Sequence, residues 1–202
     1  MSKNLPVIIQ GGMGIAVSNW ELAKTVSMQG QLGVVSGTAI DNVLARRLQD
    51  GDKNGMCRRA MSHFPNQELV KHVLDKYFIE GGKAPETPYI MVPKITLDQK
   101  RDAQEILILS NFVEVWLAKE GHDGIVGINF LHKIQMTTAA SVFGAMLAGV
   151  DYIIMGAGIP RELPKLIRQI EKLQVGSVPV DVIGGQSVST SINPLDFVSP
   201  DT

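Results

Sequence analysis

The segment 6–16 constrains the fold most, because it joins a short apolar run to three glycines. The run Val-Ile-Ile at 7–9 is β-branched, as in strands that are buried on both faces of a parallel sheet. Gly11, Gly12 and Gly14 follow where such a strand would turn into a helix, and ligands bind at that end of parallel sheets. The turn either admits a flat ring or a phosphate close to its N–H groups, or serves the turn geometry alone.

The same strand–turn–helix pattern returns along the chain, which predicts a parallel α/β architecture. We predict parallel strands at 7–9, 32–36, 124–130, 151–155 and 178–183, and helices at 19–29, 41–48, 98–120, 138–149 and 160–173.

The alternation is interrupted by a turn-rich polar stretch that begins at Asp50. We therefore divide the chain into two βα units over 1–49, an insertion over 50–97, further units of the same domain over 98–185, and an irregular tail over 186–202. Within the insertion we predict short helices at 58–63 and 66–77 and an added strand at 89–92, all outside the main sheet.

Composition excludes several classes of partner. The net charge is −1 and the basic residues are spread along the chain, so neither nucleic acid nor a membrane surface is an expected partner. Cys57 is the single cysteine, which excludes an intrachain disulfide and a cysteine-based metal cluster, and no metal is expected. The first six residues are too short and polar for a secretory signal, so we predict a cytoplasmic protein.

Asn129 is the most informative polar residue, because it lies near the carboxyl end of an otherwise apolar strand. Its amide either caps a neighbouring loop or reaches into a ligand site, and the sequence leaves both interpretations open. The four histidines are isolated in the sequence, so we expect surface or capping roles and assign no catalytic base.

Four motifs in this order resemble the nitronate monooxygenase (2-nitropropane dioxygenase) family of FMN-dependent TIM barrels: Gln-Gly-Gly-Met-Gly at 10–14, Leu-Gly-Val-Val-Ser-Gly at 32–37, Gly-Ile-Asn-Phe at 127–130 and Met-Gly-Ala-Gly at 155–158. The stretches 111–124 and 145–158 are similar to the trans-acting enoyl reductase branch of polyunsaturated fatty acid and polyketide synthesis. The resemblance extends from residue 6 to about residue 173.

The resemblance implies a TIM (β/α)8-type barrel with FMN across the carboxyl ends of its strands, reduced by NADH or NADPH. The substrate would be a nitronate or a small or carrier-protein-bound enoyl thioester, with synthase proteins or a second copy as possible partners. The implied flavin contacts are Gly12, Met13, Gly14, Ser36, Gly37 and Asn129, and Gly156 would leave room for substrate.

Two features depart from the family pattern. A (β/α)8 barrel takes about 250 residues, and only about five of its strands can be found in this sequence. The family's later phosphate-binding loops and its Gly-Gly-His catalytic histidine have no counterpart here, so we expect this chain to hold FMN poorly and to show no reductase turnover. The alternatives are a non-catalytic half-barrel interaction module and a phosphate-binding barrel enzyme without flavin.

Overall fold

The computed structural model describes residues 5–98 and 100–201. Residues 1–4, Gln99 and Thr202, which fall in the predicted segments 1–49, 98–185 and 186–202, lie outside the described residues. Within the described ranges the helices are α1 (Trp20–Met28), α2 (Ile40–Gln49), α3 (Met56–Met61), α4 (Gln67–Tyr77), α5 (Arg101–Lys119), α6 (Thr138–Leu147) and α7 (Leu163–Glu171). The strands are β1 (Gly33–Ser36), β2 (Val126–Leu131), β3 (Tyr152–Gly156), β4 (Gly176–Val180) and β5 (Val188–Ile192).

The main sheet is parallel and has the order β1-β2-β3. This confirms the predicted α/β class and the parallel direction of these strands. One face carries Val35, Ile128 and Phe130 into the large core, which α1 and α5 cover. Among the described residues the sheet does not close into a barrel.

The predicted first strand is reduced to a single parallel bridge between Ile9 and Leu32. The N–H groups of Val7 and Ile8 both donate to the Gln31 side chain, at 3.1 and 2.8 Å, instead of to a strand. Val7 is 90% exposed and Ile9 is 60% exposed. The edge next to β1 is therefore apolar and open.

The 50–97 segment adds to the helical side of the sheet. α3 packs against α5, and α4 packs against α2 and α5. The predicted strand at 89–92 is wrong, because the buried Gln49 side chain takes both backbone groups of Ile90, accepting from its N–H at 2.6 Å and donating to its carbonyl at 3.1 Å. No strand occurs in the described part of this segment.

Two further expectations are wrong at the C-terminal end. β4, predicted as a fifth parallel strand, pairs antiparallel with β5. β5 lies in the tail that was expected to be irregular, and its Thr190 and Ile192 are buried at 1% exposure each. The hairpin packs against α6 and α7 and not beside β3, because a local antiparallel partner is available through the Gly184–Gly185 turn.

Two close contacts hold the helices against one another. Glu114 of α5 is almost fully buried and accepts hydrogen bonds from Trp20 N–H at 2.8 Å and from Arg47 Nη1 at 2.6 Å. α6 crosses α5 so closely that a Cβ atom on Gly144 would lie 2.1 Å from the Ile108 carbonyl oxygen. In the described part of the chain, none of these helices is long and apolar enough to cross a bilayer.

Candidate functional site

The candidate site lies at the carboxyl edge of the parallel sheet, where the glycine loop of residues 11–17 meets β1 and β2. Gln10 N–H donates to the Leu32 carbonyl at 3.0 Å and sets the start of this loop beside β1. A Cβ atom on Gly12 would lie 2.7 Å from Val34 Cγ1 and 2.9 Å from Asn129 Cβ. Gly12 is therefore required for the loop to lie directly on the sheet.

Asn129 connects the loop to β2. Its Nδ2 donates to the Gly12 carbonyl at 2.8 Å, and the residue is 7% exposed. This confirms the predicted convergence of Asn129 with the Gly12–Gly14 turn, and it gives the amide nitrogen a loop-capping role. Within residues 5–98 and 100–201, Asn129 Oδ1 has no recorded hydrogen-bond donor.

Gly156 ends β3 on the same face of the sheet, because β2 and β3 pair Asn129 with Ile154 and Leu131 with Gly156. A Cβ atom on Gly156 would meet only ordinary contacts, 3.7 Å from Asn129 Oδ1 and 3.6 Å from the Phe130 carbonyl. The space beside Asn129 Oδ1 therefore takes a methyl group without a clash.

The other predicted contacts divide into exposed and buried positions. Met13 is 65% exposed on the loop, and Gly14 takes a left-handed φ of 72° that favours glycine. Ser36 is 1% exposed and Gly37 is also buried, and a Cβ atom on Gly37 would lie 2.3 Å from the Phe130 ring. Ser36 is thus closed to a ligand in this conformation, whereas Gly37 lines a separate cleft of about 220 Å³ with Phe130 and Thr138.

Gln10 and Ser18 are site residues that the sequence analysis missed. Gln10 Oε1 accepts from Val34 N–H at 2.9 Å, and Ser18 Oγ is bonded to both Gly11 and Met13. Their position in the sequence indicates this role, because they are the polar residues on either side of the glycines.

Backbone strain is concentrated at this edge of the sheet. Ala16 lies within the loop, and Ala39 and Ala157 follow β1 and β3; their φ values are 57°, 51° and 58°. An alanine in the left-handed region costs about 1–2 kcal/mol. Such strain is found at ligand sites more often than in ordinary turns.

Three of the four histidines have surface or capping roles, as the sequence predicts. His122 caps the α5 end, since Nε2 contacts the Ala118 carbonyl at 2.7 Å and Nδ1 accepts from Gly124 N–H at 3.0 Å. His72 contacts Glu105 at 2.5 Å, and His63 stacks on Trp116 with ring centroids 4.5 Å apart. None of the three reaches the glycine loop.

His132 differs, because it follows β2 directly and lines a cleft of about 150 Å³ with Met155, Glu162 and Asp181. The described residues contain no cluster of three or more His, Cys, Asp or Glu side chains that could hold a metal ion. Burial, and next the nearby Asp52 carboxylate, raise the pKa of Cys57 to about 12, so this thiol is not a nucleophile at neutral pH.

No protein-family model, curated protein or solved structure matches this chain. The function is therefore inferred from the glycine loop, Asn129 and the space beside Gly156.

Proposed function

We propose that this chain is an FMN-dependent oxidoreductase of the nitronate monooxygenase type, built on part of a (β/α)8-type barrel and acting in the cytoplasm on an enoyl thioester or a nitronate. The observation that carries the proposal is the meeting of the Gly12–Gly14 turn, Asn129 Oδ1 and the open space at Gly156 at one sheet edge. The ordered resemblance of the four motifs supplies the identity of the cofactor.

The residues present suit a flat heterocycle. Asn129 Oδ1 is an acceptor without a recorded donor among the described residues, and a flavin ring carries an N–H group. Gly12 lets the loop lie directly on the sheet, beside the Asn129 side chain. The exposed Met13 thioether offers a polarizable group that can lie against a ring.

When bound, FMN would supply hydride transfer from NADH or NADPH to an enoyl thioester, or the oxidation of a nitronate with molecular oxygen as the oxidant. The chain's own contribution is to orient the ring through Asn129 and the loop and to keep the space at Gly156, beside Asn129 Oδ1, free for the ring edge and for the substrate next to it. No side chain of the described residues is assigned the transfer of a proton.

The direct test is an NMR titration of the ¹⁵N-labelled chain with FMN and, separately, with riboflavin, which lacks the phosphate. The site contacts the ring, so both flavins should shift the amide signals of Gly12, Gly14 and Gly156 with similar dissociation constants weaker than micromolar. Unchanged signals at these glycines with both flavins would refute the proposal.

Replacing Gly156 with alanine should separate binding from folding. The new methyl group meets no atom closer than 3.6 Å, so stability should change by less than about 0.5 kcal/mol in urea denaturation. The methyl group fills the space beside Asn129 Oδ1, so the dissociation constant for FMN should rise about tenfold or more, a cost of about 1.4 kcal/mol. Unaltered FMN affinity in the folded variant would show that the ring lies elsewhere.

One observation favours the alternative, a non-catalytic module that pairs with a second copy. The N-terminal edge exposes large apolar side chains, including Leu5 at 80%, Val7 at 90% and Val17 at 70%. Open apolar edges of a sheet favour pairing with another chain, and a lysine on the edge opposes it.

We expect the purified chain to self-associate in light scattering after size-exclusion chromatography and the Val7→Lys variant to be monomeric. Lys165→Val, a substitution on an exposed residue of α7, is the control and should leave the association unchanged. A chain that stays monomeric at all concentrations would remove the support for this alternative.

A further inference from the structure

Ser18, which is 4% exposed, bonds to the peptide units on both sides of Gly12, and the Gly11 carbonyl also accepts from Gln10 Nε2 at 2.5 Å. Ser18 Oγ donates to the Gly11 carbonyl at 2.9 Å and accepts from Met13 N–H at 3.0 Å. Gln10 Nε2 donates to the same Oγ at 3.2 Å, and Ser18 N–H donates to the Met13 carbonyl at 3.1 Å. The hydroxyl therefore uses its one donor and both of its acceptor positions.

These bonds determine where the neighbouring N–H groups point. In a trans peptide the carbonyl and the N–H point in opposite directions, and the described chain contains no cis peptide. The two carbonyls bonded to Ser18 belong to the peptide units that end in the N–H groups of Gly12 and Gly14. Those two N–H groups therefore point away from Ser18, and neither has a recorded acceptor within the described ranges.

The peptide unit between Gly12 and Met13 has the reverse orientation and is fixed at both ends. Its carbonyl accepts from Asn129 Nδ2 at 2.8 Å, and its N–H donates to Ser18 Oγ at 3.0 Å. A rotation of this peptide would break both hydrogen bonds. The alternating direction of these three peptide units thus depends on Ser18 on one side of the loop and Asn129 on the other.

We infer that Ser18 is a positioning residue that turns the N–H groups of Gly12 and Gly14 towards the Asn129 side of the loop, where they can donate to an acceptor on a bound ring. The identity of that ring as a flavin rests on the proposed function. The orientation of the peptides does not depend on it.

The test compares Ser18→Ala with Ser27→Ala. Ser27 is also buried, lies at the opposite end of α1, and donates through Oγ to the Ile125 carbonyl at 2.6 Å. Each substitution removes a buried hydroxyl, so we expect similar losses of stability. Only Ser18→Ala should speed the hydrogen exchange of the Met13 N–H, by about tenfold beyond the change in Ser27→Ala.

The same pair of variants is titrated with FMN. We expect the dissociation constant of Ser18→Ala to rise about tenfold and that of Ser27→Ala to stay within about twofold of the parent, because only the first disturbs the loop. A second variant, Gln10→Glu, keeps the acceptor for Val34 N–H, leaves the Ser18 hydroxyl in place, and removes the Nε2 donor to Ser18 Oγ and to the Gly11 carbonyl. Gln10→Glu should raise the dissociation constant for FMN less than Ser18→Ala does, and it serves as the test if Ser18→Ala does not fold.

The possible outcomes distinguish the positioning role of Ser18 from the proposed flavin-dependent function. If Met13 exchange is no faster in Ser18→Ala than in Ser27→Ala, the positioning role is wrong whatever the ligand. If Ser18→Ala speeds that exchange but the parent chain binds no flavin, Ser18 holds the loop and the proposed function fails. Equal FMN affinity in Ser18→Ala and the parent, with faster exchange, would overturn the inference that these N–H groups face the ring.

Discussion

Replacing Arg47 with methionine should lower the free energy of unfolding by about 3–5 kcal/mol, the typical cost of leaving a buried charge without its partner. The Glu114 carboxylate has 2% of its side chain exposed and receives Arg47 Nη1 at 2.6 Å. In Arg47→Met the Trp20 N–H would be the one donor to it among residues 5–98 and 100–201. Urea denaturation followed by circular dichroism measures the loss.

Two controls test this explanation. The double variant Arg47→Met/Glu114→Gln has no charge at this pair and keeps an acceptor for Trp20 N–H, so it should recover most of the lost stability. Arg59→Ala breaks a pair with Glu120 whose side chains are 45% and 28% exposed, and it should cost less than about 1 kcal/mol. A double variant as unstable as Arg47→Met would show that packing around Arg47, and not the charge, is responsible.

Replacing Gly144 with alanine should destabilise the fold by about 2 kcal/mol or more, although alanine favours a helix over glycine by about 1 kcal/mol. The added Cβ atom would lie 2.1 Å from the Ile108 carbonyl oxygen, and this atom is backbone in the middle of α5. Relief would require α6 to move away from α5, which opens the core between them. The steric cost should therefore exceed the gain in helix propensity.

Thermal and urea unfolding of Gly144→Ala can be compared with Gly156→Ala, which makes the same chemical change where the nearest atom is 3.6 Å away. Because both variants replace glycine with alanine, the comparison cancels the change in the conformational entropy of the unfolded chain. If Gly144→Ala is as stable as the parent, the crossing of α5 and α6 is looser than this structure has it.

Most helices could be predicted from the sequence because their information is local. The apolar spacing of 66–77 and 98–120 places α4 and α5 within a few residues of their observed ends, and Asn66 caps α4 through a hydrogen bond to Leu69 N–H at 3.0 Å. The strands of the parallel sheet were equally accessible, because they are short, continuous apolar runs.

The wrong predictions concern segments whose conformation depends on which other segment they pair with. The run at 7–9 has strand-like residues but only one neighbour, and the Gln31 side chain takes two of its N–H groups. β4 has the apolar character of a parallel strand, yet the glycine turn lets β5 reach it first. Serines in β5 concealed the alternation that buries Thr190 and Ile192.

At the site, the glycines and Asn129 could be found from the sequence, because glycine clusters and a polar residue in an apolar strand are visible without coordinates. The role of Ser18 could not, since it depends on the direction of three carbonyls. The left-handed conformations of Ala16, Ala39 and Ala157 were equally hidden, because alanine has no preference for positive φ.

The register of β1 with β2 has a consequence for synthesis. Gly33 pairs with Val126, so β1 of a nascent chain meets its neighbouring strand β2 only after about 90 further residues, which take about 5–20 s to translate. During that interval β1 can pack only against the segment 8–10, α1 and the helices that follow it. Early helix pairing on the ribosome is therefore what protects the apolar residues of β1 from other chains until β2 emerges.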